Sequence, residues 1–250
     1  MKKIIKAALA TTVLASAFAA APAFAEDTPA IKVTGSTTLA TEYRLRGISQ
    51  TDGDPAVQGG ITVTTAPGIY VGTWASNLAG YGDFGGSHME LDLIAGYSHS
   101  FGPATLDGGV VYYVYPGTTG TDYFELYGSV SGKVGPVNAK LGTYWAPKQS
   151  HIGGHNIWVY TDLGMPIDGT PLTLKGHVGY SSGNSGYTKG IDVVDYAVGA
   201  DLAYGPLTLN VSYVGTDVSR FNSALWASTP TQTGHDITKG KVVATLTAAF

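Results

Sequence analysis

The sequence has 250 residues, of which 44% are hydrophobic and only 13% charged, with a formal net charge of −4 and no cysteine. An acidic chain of this kind is not a general nucleic-acid binder, which carries a basic surface, and the lack of cysteine excludes a disulfide framework. The 35 glycines and 16 tyrosines favour short strands and tight turns over helices, in which glycine is costly.

The first 25 residues have the layout of a secretory signal peptide. Lysines at positions 2, 3 and 6 precede an apolar run, and Ala23-Phe24-Ala25 places small residues where a signal peptidase reads. We predict cleavage after Ala25, export through the periplasm, and a single domain over residues 26–250; the alternative is an N-terminal anchor helix. Cleavage removes three basic residues and no acidic one, so the net charge falls from −4 to −7.

Alternating segments separated by turn signals fill the rest of the chain. Gly102-Pro103, Gly135-Pro136 and Gly205-Pro206 mark tight turns, and longer polar connections lie between them. Short and long connections alternate, as do the periplasmic turns and outer loops of outer-membrane barrels. Most segments have the length that a tilted strand needs to cross a membrane. The pattern predicts about twelve strands, starting near residues 31, 56, 69, 88, 104, 122, 137, 155, 172, 192, 207 and 239.

A two-residue period gives several segments one apolar and one polar face. In the segment that begins at His88, for example, Met89 and Leu91 alternate with Glu90 and Asp92. Charged residues in so many strands would be costly in a packed core and fit a water-filled lumen. We therefore predict an all-β fold, a transmembrane antiparallel up-and-down barrel in the outer membrane of a Gram-negative bacterium. Aromatic residues near strand ends are expected to form interfacial girdles, namely Tyr43, Trp74, Tyr97, Tyr115, Trp145, Tyr180, Tyr204 and Tyr213.

The chain ends on an apolar strand face with an aromatic last residue. Val242, Ala244, Leu246 and Ala248 alternate up to Phe250. This ending resembles the sorting signal that bacterial outer-membrane barrels present to their assembly machinery. We predict Phe250 as the assembly signal and the barrel assembly machinery as a partner.

Three motifs resemble the TorF-like family of porins over about residues 41–131. The first is an aromatic-Arg-x-Arg-Gly-Ile-Ser motif before a proline-containing loop, the second a Gly-x-Tyr-x-Gly-x-Trp-x-Ser-Asn strand, and the third a Tyr-Pro-Gly strand end. The resemblance implies an outer-membrane barrel and, loosely, transport. The matching residues are Tyr43, Arg44, Arg46, Gly47, Ile48, Ser49, Pro55, Gln58, Tyr70, Gly72, Trp74, Ser76, Asn77, Glu90, Asp92, Tyr115, Pro116 and Gly117.

Polar faces of the strands would line the lumen, where charges set ion selectivity. With Lys32 and Lys241, they hold more acids than bases and favour cations mildly. Arg44 and Arg46 could form a constriction or an anion site, or belong to an internal salt-bridge network, which we weight more heavily because unpaired buried charge is expensive. The predicted pore-lining residues are Glu42, Arg44, Arg46, Glu90, Asp92, Asp107, Glu125, Lys140, Asp162, Lys175, Asp195 and Asp201.

The first predicted strand continues to Gly47 in this interpretation. Tyr43 and Leu45 then face lipid, the charged residues between them face the lumen, and Asp52–Pro55 forms the crown of the first outer loop. Twelve strands enclose a lumen between that of a filled small barrel and that of a wide porin. A narrow pore is expected, or a lumen closed by side chains or by residues 26–30.

The predicted function is passive diffusion of small hydrophilic solutes or ions. The alternative is a non-conducting structural or adhesion barrel that displays loops such as 215–238; a weaker one is a lipid hydrolase. Enzyme motifs such as Gly-x-Ser-x-Gly or His-Glu-x-x-His do not occur in the sequence. We therefore predict no enzymatic activity, metal site or cofactor, and nothing in the sequence selects an oligomeric state.

Overall fold

The computed structural model describes residues 30–250, which form a closed barrel of twelve antiparallel strands and a small two-stranded sheet. The predicted signal peptide and residues 26–29 lie outside the described residues. Among the described residues, no helix is long and apolar enough to cross a membrane. The barrel strands are β1 (Ile31–Ala40), β4 (Ala56–Thr65), β5 (Ile69–Asn77), β6 (Met89–Phe101), β7 (Ala104–Val114), β8 (Tyr123–Val134), β9 (Val137–Ala146), β10 (Gly153–Pro166), β11 (Leu172–Ser185), β12 (Val193–Tyr204), β13 (Leu207–Thr216) and β14 (Lys241–Ala249).

The strand prediction is confirmed, since every barrel strand starts within two residues of its expected position. Each strand pairs with its neighbours in the chain, and β1 pairs with β14 to close the sheet. Short connections, at 66–68, 102–103, 135–136, 167–171 and 205–206, lie at one end of the barrel. Longer connections lie at the other end, and we call this end the loop mouth; they run over 41–55, 78–88, 115–122, 147–152, 186–192 and 217–240.

Charge is confined to the inside of the barrel wall. Side chains alternate between the two faces of a strand, and every Asp, Glu, Lys and Arg of the described barrel strands lies at an inward position. Most outward positions are instead apolar; Leu93 is 48% exposed and Val159 40%, for example. The fold therefore has an apolar exterior and a polar interior, the reverse of a soluble protein.

Of the eight predicted girdle residues, five lie on the outer face, where an interfacial role stays a prediction, and three do not. Exposed side chains on the outer face include Tyr97, Trp145, Tyr180, Tyr204 and Tyr213. Tyr43, Trp74 and Tyr115 instead point inward, where Tyr43 packs edge-to-face on Trp74 with ring centroids 5.4 Å apart.

The seam between β1 and β14 is a short ladder that joins the two ends of the chain. Its register runs from Ser36 opposite Ala249 to Ala40 opposite Thr245, whereas β1 and β4 pair from Ile31 to Ala40. Phe250 extends the seam by exchanging two backbone hydrogen bonds with Gly35. A Cβ atom at Gly35 would lie only 2.6 Å from the Phe250 ring, so glycine leaves room for this aromatic side chain.

The chain turns into the barrel immediately after β1. Residues 42–51 fold as a hairpin, here called the inner hairpin, with β2 (Arg44–Leu45) paired to β3 (Ile48–Ser49). All of its residues are buried. The prediction that Tyr43 and Leu45 face lipid on the first strand is therefore wrong, because both side chains are enclosed by the barrel wall. A strand from Ile31 to Arg46 would also have exceeded the roughly 9–11 residues that span a membrane.

Cysteine labelling tests this arrangement. We expect cysteines at Leu93 and Val159 to give lipid-like fluorescence from an environment-sensitive probe in proteoliposomes, because both side chains lie on the apolar exterior. Cysteines at Tyr43 and Leu45 should react slowly in the folded protein and rapidly after unfolding. Rapid labelling with a lipid-like signal at Tyr43 and Leu45 would restore the strand interpretation.

Candidate functional site

The inner hairpin turns at Arg46 and Gly47, both of which have positive φ, 49° and 77°. Two successive residues in this conformation make the type I′ turn that suits a tight hairpin. Glycine is required at the second position because an added Cβ would lie 2.5 Å from the carbonyl oxygen of Gly215. Backbone closure continues beyond the turn, where the Gln50 N–H donates to the Tyr43 carbonyl at 2.8 Å.

A buried ion pair fixes the tip of the inner hairpin to the barrel wall. The Arg46 Nη2 group donates to both carboxylate oxygens of Glu125 on β8, at 2.8 and 2.6 Å. The Tyr113 hydroxyl also donates to Glu125, at 2.9 Å. Aromatic rings hold the guanidinium, whose Cζ lies 4.5 Å from the Tyr187 ring centroid and 4.9 Å from that of Trp158. Desolvated cation–π contacts of this kind are worth about 2 kcal/mol or more.

The inner hairpin crosses the lumen. Arg46 reaches Glu125 on β8, while Gly47 lies against Gly215 and Thr216 on β13. These two strands are separated by four others in one direction around the barrel and six in the other, so they lie on nearly opposite walls. The hairpin therefore obstructs the half of the lumen that lies next to the loop mouth.

Two further anchors hold the base of the inner hairpin. The Tyr43 hydroxyl donates to Glu90 on β6 at 2.8 Å, and Tyr115 donates to the same carboxylate at 3.2 Å. Arg44 pairs with Glu42 through two hydrogen bonds of 3.0 and 3.1 Å. A third nitrogen of Arg44 donates to the carbonyl of Lys239 at 2.9 Å. The two predicted arginines thus belong to an internal ion-pair network, the alternative that we had weighted more heavily.

The connection 217–240 covers the inner hairpin from the loop mouth. It contains the one-turn helix α1 (Gly234–Thr238), which begins with a capping box between Thr233 and Asp236. Its Trp226 and Ile237 are almost fully buried and pack with Ile48 of the hairpin. Phe221 stands clear at 89% exposure. This loop is therefore neither a plug in the lumen nor a free arm, but a cover over the hairpin.

The other half of the lumen keeps a charged, polar wall. Lys175 lies 3.6 Å from Asp201, which also accepts a 2.6 Å hydrogen bond from Asn210. His177 lies between two carboxylates, with Nδ1 2.6 Å from Asp162 and Nε2 2.8 Å from Asp195. Because both ring nitrogens of His177 face carboxylate oxygens, the ring has no free nitrogen to activate a serine nucleophile.

All predicted pore-lining residues lie inside the barrel, in two groups. The group around the hairpin is buried and comprises Glu42, Arg44, Arg46, Glu90, Asp92 and Glu125. Asp195, which is also buried, joins the two groups, because it bonds to Trp158 and to His177. The group toward the short turns lines the polar half and comprises Asp107, Lys140, Asp162, Lys175 and Asp201. Their inward orientation is observed, while their role in selectivity stays a prediction.

An inward aromatic cluster escaped the sequence reasoning. Tyr113, Tyr123, Tyr144, Trp158 and Tyr160 fill the barrel beside the hairpin. The sequence does contain a signal, because Trp158 and Tyr160 share the parity of Asp162, whereas Ile157, Val159 and Leu163 on the other face are apolar. An aromatic residue that is separated from a strand carboxylate by an even number of positions lies on the same face of the strand, and therefore faces the lumen.

Comparison with solved structures identifies the class of fold, that of the porins. The KdgM porin superposes with a TM-score of 0.56 at 9% sequence identity, over 87% of this chain and 99% of that chain. The KdgM porin in complex with disordered oligogalacturonate gives the same TM-score at 8% identity, with the same coverage. The NanC porin gives 0.55 at 9% identity, over 87% of this chain and 98% of that one. At such identities the similarity establishes the fold alone.

The chain belongs to the Gcw_chp family, described as a bacterial protein of unknown function, which it matches over residues 24–250. No curated protein matches the sequence significantly.

Removing the Arg46 guanidinium should destabilise the protein strongly. In R46M, Glu125 would be left as a buried carboxylate without its cation, which costs about 3–5 kcal/mol. Urea unfolding of refolded protein in detergent micelles measures the loss of unfolding free energy. R220M, at an exposed arginine, is the control and should change stability little. Equal stabilities of R46M and R220M would show that the ion pair does not hold the hairpin.

Proposed function

We propose that this protein is an outer-membrane porin-like channel for small hydrophilic solutes or ions, with a pore restricted by the inner hairpin. The observation that carries the proposal is the complete segregation of charge in the described barrel strands, all inward and none outward. A lipid-facing Arg or Lys costs about 2–4 kcal/mol at the bilayer midplane, so an uncharged exterior is what insertion into a membrane requires. Charged side chains around a closed barrel are what a water-filled pathway requires.

Cation preference follows from the charges on the wall. Inward strand positions hold more acidic residues than basic ones. The acids are Glu90, Asp92, Asp107, Glu125, Asp162, Asp195 and Asp201, and the bases are Lys32, Lys133, Lys140, Lys175 and Lys241. A lumen with a small excess of carboxylates concentrates cations over anions.

The resemblance to the TorF-like porins and the porin fold support an envelope location. In this proposal the signal peptide directs export, and the barrel assembly machinery recognises Phe250 at the β1–β14 seam. The fold similarity does not extend to a solute, and the oligogalacturonate of the KdgM complex is not transferred to this chain.

One observation favours the alternative, a barrel that does not conduct. The inner hairpin spans the lumen between β8 and β13 and is covered by the 217–240 connection. If the hairpin never moves, the barrel serves as a scaffold for its outer loops, of which 217–240 exposes Phe221 and Leu225.

A loop replacement separates the two functions. Ala40 and Ala56 are paired opposite each other on β1 and β4, so Thr41–Pro55 can be replaced by Asn-Gly, which closes a two-residue hairpin. We expect small discrete conductance steps from the wild-type protein in planar bilayers, several-fold larger steps from the replacement, and cation preference in a salt gradient for both. The R220M variant should behave as wild type, and circular dichroism confirms that each barrel is folded. If only the loop replacement conducts, the wild-type protein is the non-conducting barrel of the alternative. If both barrels fold and neither conducts, the proposed channel is refuted.

A further inference from the structure

A cavity of about 120 Å³ lies between the tip of the inner hairpin and three of the long connections. Arg46 and Gln50 form its floor on the hairpin side. Tyr81 and Phe84 enter from 78–88, His151 from 147–152, and Tyr187 with Lys189 from 186–192. A single water needs about 10–15 Å³, so the cavity has room for a small organic molecule.

The charge of the cavity lining is opposite to that of the protein. Arg46 and Lys189 are both lining residues, and no Asp or Glu of the described chain is among them. Burial lowers the pKa of His151, so its ring is neutral at neutral pH. The lining therefore holds two cationic side chains, of which Arg46 is paired with Glu125 and Lys189 has no ion pair with the described residues.

The side chains of Arg46 and Gln50 can form more hydrogen bonds than they form with the described residues. The Nε and Nη1 atoms of Arg46 are buried without a hydrogen-bond partner among residues 30–250, as is the Oε1 atom of Gln50. Arg46 and Gln50 are each only 3% exposed. Unsatisfied buried polar atoms are expensive, so these two lining residues have hydrogen-bonding capacity that a ligand reaching them would use.

Both cationic residues of the cavity lining have a left-handed backbone conformation. Three residues other than glycine have positive φ in the described chain, namely Arg46, Asp52 and Lys189, at 49°, 58° and 54°. Asparagine or glycine would adopt this conformation more readily than lysine or arginine. The Lys189 side chain forms no ion pair or hydrogen bond with the described residues, and its Nζ lies 5.5 Å from the Tyr81 ring centroid. A strained backbone that holds an unpaired cation over a cavity is a mark of a binding site.

The walls of the cavity are aromatic. The His151 ring stands edge-on to Phe84 at a centroid distance of 5.2 Å and is stacked with Tyr123 at 6.0 Å. Tyr187 bears the Arg46 guanidinium on its face. Flat rings pack against such walls in offset-stacked or edge-on geometry.

We propose that this cavity binds a small planar carboxylate, specifically a hydroxylated aromatic acid. Its carboxylate would pair with Lys189 and the free nitrogens of Arg46, its ring would pack between the aromatic side chains, and its hydroxyl would donate to Gln50 Oε1. The inference does not depend on whether the barrel conducts, because the ligand enters from the loop mouth and binds above the hairpin.

Calorimetric titration of the refolded protein in detergent micelles tests the ligand class. The probe is 4-hydroxybenzoate, with 4-hydroxybenzamide as the neutral molecule of the same shape and empty micelles as the blank. We expect the acid to bind and the amide to bind at least about tenfold more weakly, since it cannot form charge-assisted hydrogen bonds with both cations. Benzoate, which lacks the hydroxyl, should bind more weakly than 4-hydroxybenzoate.

A substitution at Lys189 tests the site. K189N removes the cation and places there a residue that tolerates the left-handed backbone, so the melting temperature should not fall. We expect K189N to lose about tenfold or more in affinity for 4-hydroxybenzoate. K148N, which removes the same charge from an exposed lysine outside the cavity, should bind like the wild type. Equal binding of acid and amide, equal affinities of K189N and K148N, or no binding of the acid at millimolar concentration would each overturn the proposal.

Discussion

The buried ion pair between Arg46 and Glu125 is the interaction on which the interior of this barrel depends. It ties a hairpin that follows the first strand to β8, across the lumen. Removing either partner leaves a charge in a place that water does not reach. The aromatic rings pack around its guanidinium. Gly47 lets the same hairpin approach Gly215, and the 217–240 connection packs on Ile48.

Most of the barrel could be predicted from the sequence, because membrane strands must keep charge off one face. The pairing parity of Glu90, Asp92 and Asp162 follows from alternation alone. The segment 42–46 could not be placed in this way. Its alternating pattern fits a strand with one face on lipid and the other on the lumen, but it fits equally well a hairpin that is enclosed on both sides. The ion pair that fixes the hairpin inside the barrel joins Arg46 to Glu125, 79 residues further along the chain. No local sequence pattern predicts a contact over that separation. The length of the supposed strand was the one sequence feature that argued against it.

The two halves of the lumen differ in how their charged side chains are surrounded. Toward the short turns, Lys175, Asp201 and their neighbours form a polar wall of paired charges. Toward the loop mouth, rings and buried ion pairs fill the space and leave a small cationic cavity above them. Arg46 belongs to both the obstruction and the cavity, because one nitrogen holds Glu125 and the residue lines the cavity, while two other nitrogens have no hydrogen-bond partner among residues 30–250. Arg46 would then take part both in restricting the pore and in binding a ligand, although the pore and the cavity are separate spaces.

The short seam between β1 and β14 determines the order in which this molecule can be built. It pairs residues about 200 positions apart, so it forms only once the C-terminal strand is present, and such distant pairing is slow. The inner hairpin relies on the same late-arriving strands, since Arg44 donates to Lys239 and Gly47 rests on Gly215. The hairpin contacts to Lys239 and Gly215 can therefore form only when β13 and the 217–240 connection are in place.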